Sequence, residues 1–209
     1  LILLVYLGYP LWLMLSGQRA VPERRADHAP PLTVMIVAHN EAASIGAKLE
    51  TVLANVQAYP GPVQILVGDD ASSDATASIA ESFASQGIET IRCPRGGKAA
   101  ALNRIIALAR HDIIVLTDAD PLFEPQTLAR IAAPFADPAV GAAAGVVAVI
   151  KQGKASRFAG FDALFRLYEN ALRARESALF GTVAADGGLF AIRRALFPQV
   201  PGDVTDDFY

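Results

Sequence analysis

One pattern governs this chain between Thr33 and Thr117: an apolar run stops at a cluster of small and acidic residues, a helical repeat follows, and the unit begins again. The first run is Thr33-Val34-Met35-Ile36-Val37-Ala38, stopped by His39-Asn40-Glu41 and followed at helical spacing by Ile45, Leu49, Val52 and Val56. The second pairs a strand over Val63 to Val67 with a helix over Ala75 to Ser85, started by the capping cluster Ser72-Ser73-Asp74 and closed by Gly87. The third pairs Ile88 to Arg92 with a helix near Lys98 to Ala109, and a further strand runs from Asp112 to Thr117. Strands that are apolar almost throughout are covered on both faces, so this alternation predicts an α/β fold with a mostly parallel, doubly wound sheet. Ligands bind such sheets at the carboxyl ends of the strands.

The flanks read differently. Leu1 to Gln18 carries no charge and is rich in Leu, which predicts part of a transmembrane helix over residues 1–18 that begins before the visible chain. Tyr6, Tyr9 and Trp12 suit a bilayer interface, and Arg19, Arg24 and Arg25 follow at once, which predicts a plasma or inner membrane location with the rest of the chain in the cytoplasm. A helix buried in the domain is the alternative, since Pro10 interrupts the run. Residues 19–32 turn to Pro, Arg, Asp and His and read as a linker, leaving residues 33–209 for the globular domain. Val140 to Ile150 is β-branched enough for a strand or two, and Phe158, Phe161, Phe165, Tyr168 and Leu172 mark one helix face, which would pack on the sheet or lie at a membrane surface.

Composition removes several functions. Eighteen Lys and Arg against 21 Asp and Glu give a net charge of −3, so no global basic field would hold nucleic acid. Cys93 is the single cysteine, which excludes an internal disulfide and a cysteine-rich zinc site. Any metal must be bound mainly through oxygen.

Acidic and small polar residues concentrate where the strands end. Three such loops, His39-Asn40-Glu41, Asp69-Asp70-Ala71-Ser72-Ser73-Asp74 and Asp118-Ala119-Asp120, fall on one edge of a parallel sheet. Carboxylates gathered there repel one another unless a cation or hydrogen-bond donors sit among them. Asp118 and Asp120 suit Mg²⁺ or Mn²⁺, which take one or two carboxylates plus substrate phosphates; an ordinary solvated turn is the plain alternative. Arg95-Gly96-Gly97-Lys98 is not a Walker A loop, because Arg92 stands where its first Gly belongs and Ala99 where its Ser or Thr does. It could still offer backbone N–H groups and a lysine to an anion, or simply start a helix. Asp69 and Asp70, or one of them, would simply cap a helix; a carboxylate at such a strand end could instead accept from a nucleobase or ribose. Asp186-Gly187-Gly188 and Asp203-Val204-Thr205-Asp206-Asp207 supply further turns and acids.

Taken together, these residues resemble the family 2 glycosyltransferases, inverting enzymes with the GT-A fold, and in particular the membrane-bound synthase branch that makes cellulose, chitin, hyaluronan and poly-N-acetylglucosamine. The resemblance covers Pro31 to Tyr209, with five motifs in the family's order. It implies that Ala38, His39, Asn40 and Glu41 form the first donor-binding loop, that Asp70, beside Asp69, contacts the nucleobase, and that Gly97, Lys98 and Asn103 lie next to the nucleotide. Asp120 would hold the metal bridging the diphosphate, and Asp118 the metal or ribose. Asp186, Gly187 and Gly188 would be acceptor-side. Asp207, or its neighbour Asp206, would be the catalytic base. The implied reaction moves a sugar from a nucleotide-sugar, by family habit a UDP-sugar, to a glycan, polysaccharide or lipid-linked acceptor at the bilayer. A non-catalytic nucleotide-sugar-binding module and a metal-dependent phosphotransferase are the competing readings.

Overall fold

The computed structural model describes residues 7–16, 29–146, 168–169, 171–177, 179 and 188–201. The chain divides into two compact units, one of Leu1–Pro22 with Val146–Ala185 and the other of Glu23–Gly145 with Asp186–Tyr209.

In the first unit, α1 covers Tyr9–Leu15. Pro10 sits in its first turn, which directly follows Leu7 and Gly8 in π-helical conformation, so the helical run changes its hydrogen-bond pattern beside the proline. Leu7, Leu11, Trp12, Met14 and Leu15 are exposed while Leu13 is buried. Among the described residues no helix is long and apolar enough to cross a membrane. Most of the expected aromatic stripe, Phe158, Phe161 and Phe165, lies outside the described residues; Tyr168 is helical.

The second unit is built on one sheet. Its strands are β1 (Leu32–Ala38), β2 (Val63–Asp70), β3 (Ile88–Cys93), β4 (Ile113–Thr117), β5 (Ala142–Ala144) and β6 (Leu189–Arg193). The order is β3-β2-β1-β4-β6-β5. The first four run parallel, as the apolar strands predict, while β6 pairs antiparallel with both β4 and β5. The helices are α2 (Ile45–Ala58), α3 (Thr76–Ser82), α4 (Gly97–Ile106) and α5 (Thr127–Ala132). Helix α3 ends sooner than the periodicity suggests: a 3₁₀ turn, Ala84–Gln86, takes over and stops at Gly87, whose φ of 90° suits a residue without Cβ.

Alternation along the strands separates two cores. Val34, Ile36, Ile65, Val67 and Val115 pack with Ile45, Leu49 and Val52 of α2. Met35, Leu66 and Ile114 pack with Ala101, Leu102 and Ile105 of α4. Gly68 lets α4 approach, since a Cβ there would lie 3.1 Å from Ile105 Cγ2.

Tyr59, just beyond α2, is 6% exposed and donates its hydroxyl to Pro30 O at 2.7 Å. Burial raises its pKa well above the ordinary tyrosine range. The unfolded chain therefore ionises near pH 10 while the folded one keeps its proton, so the contribution is intact below pH 10 and shrinks as pH rises further. Tyr59→Phe is expected to cost about 1 kcal/mol at neutral pH and to flatten the stability loss above pH 10. Denaturant melts of both proteins at pH 8 and pH 11 check this, and equal slopes would refute it.

Candidate functional site

Parallel strands deliver their carboxyl ends to one edge, and there β1, β2 and β4 release the three acidic loops. Between them lies a cleft of about 430 Å³ lined by Val37, His39, Glu41, Asp70, Arg95, Gly97, Lys98, Asp118, Ala119 and Asp120. The volume suits a small organic ligand.

Asp70, 1% exposed, caps α4 and not the nearer α3. Its Oδ1 accepts from Gly96 N at 2.8 Å and its Oδ2 from Gly97 N at 3.0 Å, and Arg95 Nη1 also reaches Oδ2. Gly97 turns into the helix with φ of 81°, which a Cβ would strain. The N–H groups of Gly96 and Gly97, open in sequence to an anion or to a helix start, donate here to Asp70, whose carboxylate also lines the cleft. Asp70 O accepts the bond that fixes His39, 2.9 Å from Nδ1.

Lys98 Nζ stands 2.7 Å from Asp118 Oδ1, with both side chains partly exposed. Asp120, two residues on, is exposed to the cleft. Glu41 accepts from Ser44 Oγ at 2.6 Å through Oε2, while its N–H donates to Thr76 Oγ1 at 2.7 Å. Across the loops, Asn40 Oδ1 accepts from Ser73 N at 2.8 Å and Asp74 Oδ2 from Ala42 N at 3.1 Å, so the first two loops are stitched together. Asn40 takes the left-handed φ of 57°, which Asn tolerates better than most residues.

Four anticipated donor residues stand outside the cleft lining. Ala38 is 2% exposed in the core beside α2, and Asn40 faces the second loop. Asp69 is 2% exposed, with Oδ2 accepting from Ser72 N at 3.3 Å and Oδ1 without a partner among the described residues. Asn103 pairs its amide with both backbone groups of Val200, Nδ2 donating at 2.6 Å and Oδ1 accepting at 3.0 Å. It sits on α4 between one and two turns beyond the loop and is turned toward the chain's later segment. Gly188 O accepts from Thr117 Oγ1 at 2.7 Å; Asp186, Gly187, Asp206 and Asp207 lie outside the described residues.

Two residues to which the sequence reading gave no role of their own matter here. Arg95 lines the cleft and anchors on Asp70, a role that its position beside the glycine pair could have signalled. Lys48 looks in sequence like an ordinary surface lysine of α2, yet it is fully buried. Its Nζ donates to Thr117 Oγ1 at 2.6 Å and to Pro121 O, and stands 4.1 Å from the centroid of the Phe123 ring. Burial lowers its pKa to about 7, against the pull of Asp118 and Asp120.

A metal is compatible with this donor set. Among the described residues no cluster of three or more His, Cys, Asp or Glu could cage an ion alone, but Asp118 and Asp120 meet the two-carboxylate demand of an ion that completes its shell with diphosphate and water.

The profile of glycosyl transferase family 2 matches residues 33–200, which takes in the whole cleft lining and, but for Leu32, the strands of the described residues. The chain belongs to glycosyl transferase family 2. It is accordingly an enzyme of that family with the GT-A arrangement of the sheet. It is 28% identical over 127 residues to an N-acetylglucosaminyltransferase of Rhizobium leguminosarum bv. trifolii, covering 59% of this chain and 70% of that one. It is 34% identical over 119 residues to a beta-monoglucosyldiacylglycerol synthase of Synechocystis, covering 54% of this chain and 24% of the relative. A mannosyltransferase from Pyrobaculum calidifontis, solved with GDP-mannose and Mn²⁺, superposes with a TM-score of 0.75 at 28% identity, over 98% of this chain and 58% of that protein. The chain thus spans about a quarter of the lipid synthase and somewhat over half of the mannosyltransferase.

Proposed function

We propose that this glycosyltransferase takes its sugar from a nucleotide-sugar seated in the strand-end cleft and passes it, with inversion, to a glycan, polysaccharide or lipid-linked acceptor at the cytoplasmic face of a membrane. The observation that carries this reading is the convergence of Lys98, Asp118 and Asp120 on one cleft, in a chain whose solved relative was captured with GDP-mannose and Mn²⁺.

Asp118 and Asp120 would hold Mg²⁺ or Mn²⁺ against the diphosphate. The ion supplies neutralisation of the charge that grows on the departing nucleoside diphosphate. Lys98 would add a positive charge on the same side, exchanging Asp118 for a phosphate oxygen. Arg95, Gly96 and Gly97, fixed on Asp70, hold one wall in place, so little reorganisation is needed when the donor enters. Asp207, or Asp206, would take the acceptor's hydroxyl proton as its oxygen attacks the anomeric carbon. The exposed apolar side chains of α1 support contact with a bilayer, and the lipid synthase among the relatives supports a lipid-linked acceptor.

The test incubates purified protein with UDP-glucose, UDP-N-acetylglucosamine or GDP-mannose, each with Mn²⁺ or EDTA, and follows the release of nucleoside diphosphate as water takes the sugar in place of the acceptor. Metal-dependent release from one donor is the expected result. No release from any of them, together with no calorimetric binding of UDP or GDP, would overturn the donor reading.

A further inference from the structure

Helix α2 carries a polar stripe on a face otherwise committed to the core. Lys48, Thr51 and Asn55 follow one another at three and four residues, which places them along one side of the helix. Each engages the chain that leaves β4. Asn55 Nδ2 donates to Glu124 O at 3.0 Å, and its Oδ1 accepts from Leu128 N at 3.3 Å. Thr51 Oγ1 accepts from Phe123 N at 3.2 Å. Lys48 reaches the nearest part, bonding Thr117 before Asp118-Ala119-Asp120 and Pro121 immediately after it. Thr117 in turn donates to Gly188 O at the entrance to β6.

From this placement we infer that Lys48 is a positioning residue, a buried tether that closes both ends of the Asp118-Ala119-Asp120 loop and, through Thr117, locks it in register with the glycine turn ahead of β6. The inference rests on the donor reading above for its consequence, though the tether itself is read from the ligand-free chain.

The physical case is one of alternatives. Pro121 O is a backbone acceptor at a point where the strand ladder has ended, and such a group needs a partner when water is kept away. Any neutral residue could pack beneath the loop, but a lysine can bond a side chain before it and a carbonyl after it at once. The amine also lies within electrostatic reach of Asp118 and Asp120, whose carboxylates favour its protonated form. Loss of an outer partner of a metal ligand typically weakens metal affinity about tenfold to a hundredfold, because the ligands no longer stand in the geometry the ion requires.

Lys48→Met keeps the length of the side chain and removes the charge, a replacement that buried sites often accept without loss of stability. Three measurements on this variant separate a tether from plain packing. Calorimetry should show UDP or GDP binding in the presence of Mn²⁺ weakened by about tenfold or more, with metal-free binding changed much less. Hydrogen exchange of the ligand-free variant should speed up in peptides spanning residues 117–123 and stay unchanged in β1 and β2. Release of nucleoside diphosphate from the accepted donor with Mn²⁺ should fall. Wild-type exchange in residues 117–123 together with wild-type Mn²⁺-nucleotide affinity overturns the inference. Should Lys48→Met fail to unfold cooperatively, Thr117→Val reads the same link by removing the hydroxyl between Lys48 and Gly188, and wild-type behaviour of that variant overturns it equally. If wild-type protein binds neither UDP nor GDP with Mn²⁺, the donor reading fails, while the exchange comparison still decides the tether.

Discussion

Asp120→Asn is expected to lower the rate of sugar transfer by about a thousandfold, equivalent to about 4 kcal/mol of transition-state stabilisation, and to leave the thermal midpoint within a degree or two of wild type. The two halves of that expectation have one cause. Asp120 is exposed at the cleft, so the fold does not depend on it, and surface substitutions of this kind usually change stability by less than about 0.5 kcal/mol. What the carboxylate would contribute, on the proposed reading, is a charged oxygen for the ion beside the departing diphosphate. Its amide counterpart keeps the shape and loses the charge. Activity assays across a Mn²⁺ series, paired with thermal melts, check both halves. An Asp120→Asn protein of wild-type activity would remove the metal from the proposed chemistry.

The opposite balance is expected at Asp70. Asp70→Ala should destabilise the protein by about 3 kcal/mol and also abolish donor binding. Its side chain is 2% exposed and accepts two backbone N–H groups, which are left without an acceptor when it is removed. Arg95 adds less, because 58% of its side chain remains in solvent, where ion pairs are worth roughly 0–1 kcal/mol. Asp70→Asn keeps one acceptor oxygen and should fall between wild type and Ala. Urea melts with calorimetry of UDP and GDP binding measure the two effects. Lost binding at unchanged stability would mean that Asp70 serves the nucleobase and not the loop.

The legible parts of this chain were those in which one residue's neighbours in sequence are also its neighbours in space. Apolar runs ending at His39, Asp69 and Asp118 gave away the parallel strands and the edge on which their loops meet, because such strands must be buried along their whole length. That is why His39, Glu41, Asp70, Gly97, Lys98, Asp118 and Asp120 could be grouped beforehand and do share one cleft. What could not be read was partner choice across the fold. Gly96 and Gly97 have two plausible uses for their N–H groups, and only the approach of β2 to α4 decides for Asp70. Asn103 lies on the helix that the cleft loop starts, less than two turns on, yet the direction of its side chain sends it to Val200. Lys48 carries no local sign of burial, since lysine is common on helix surfaces and the acceptors that hold it are 69 and 73 residues away.

The antiparallel strand β6 also governs how this domain can be made. β4 finds its partner on one side in β1, but its other flank stays open until Leu189–Arg193 exists, with the segment Val146–Ala185 of the other compact unit emerging in between. During synthesis the chain must therefore carry an apolar, unsatisfied strand edge for the length of that insertion, and closing so long a loop is entropically slow. A nascent chain halted before Leu189 would expose β4 to other strands and be prone to aggregate, whereas one extended past Arg193 could seal the sheet.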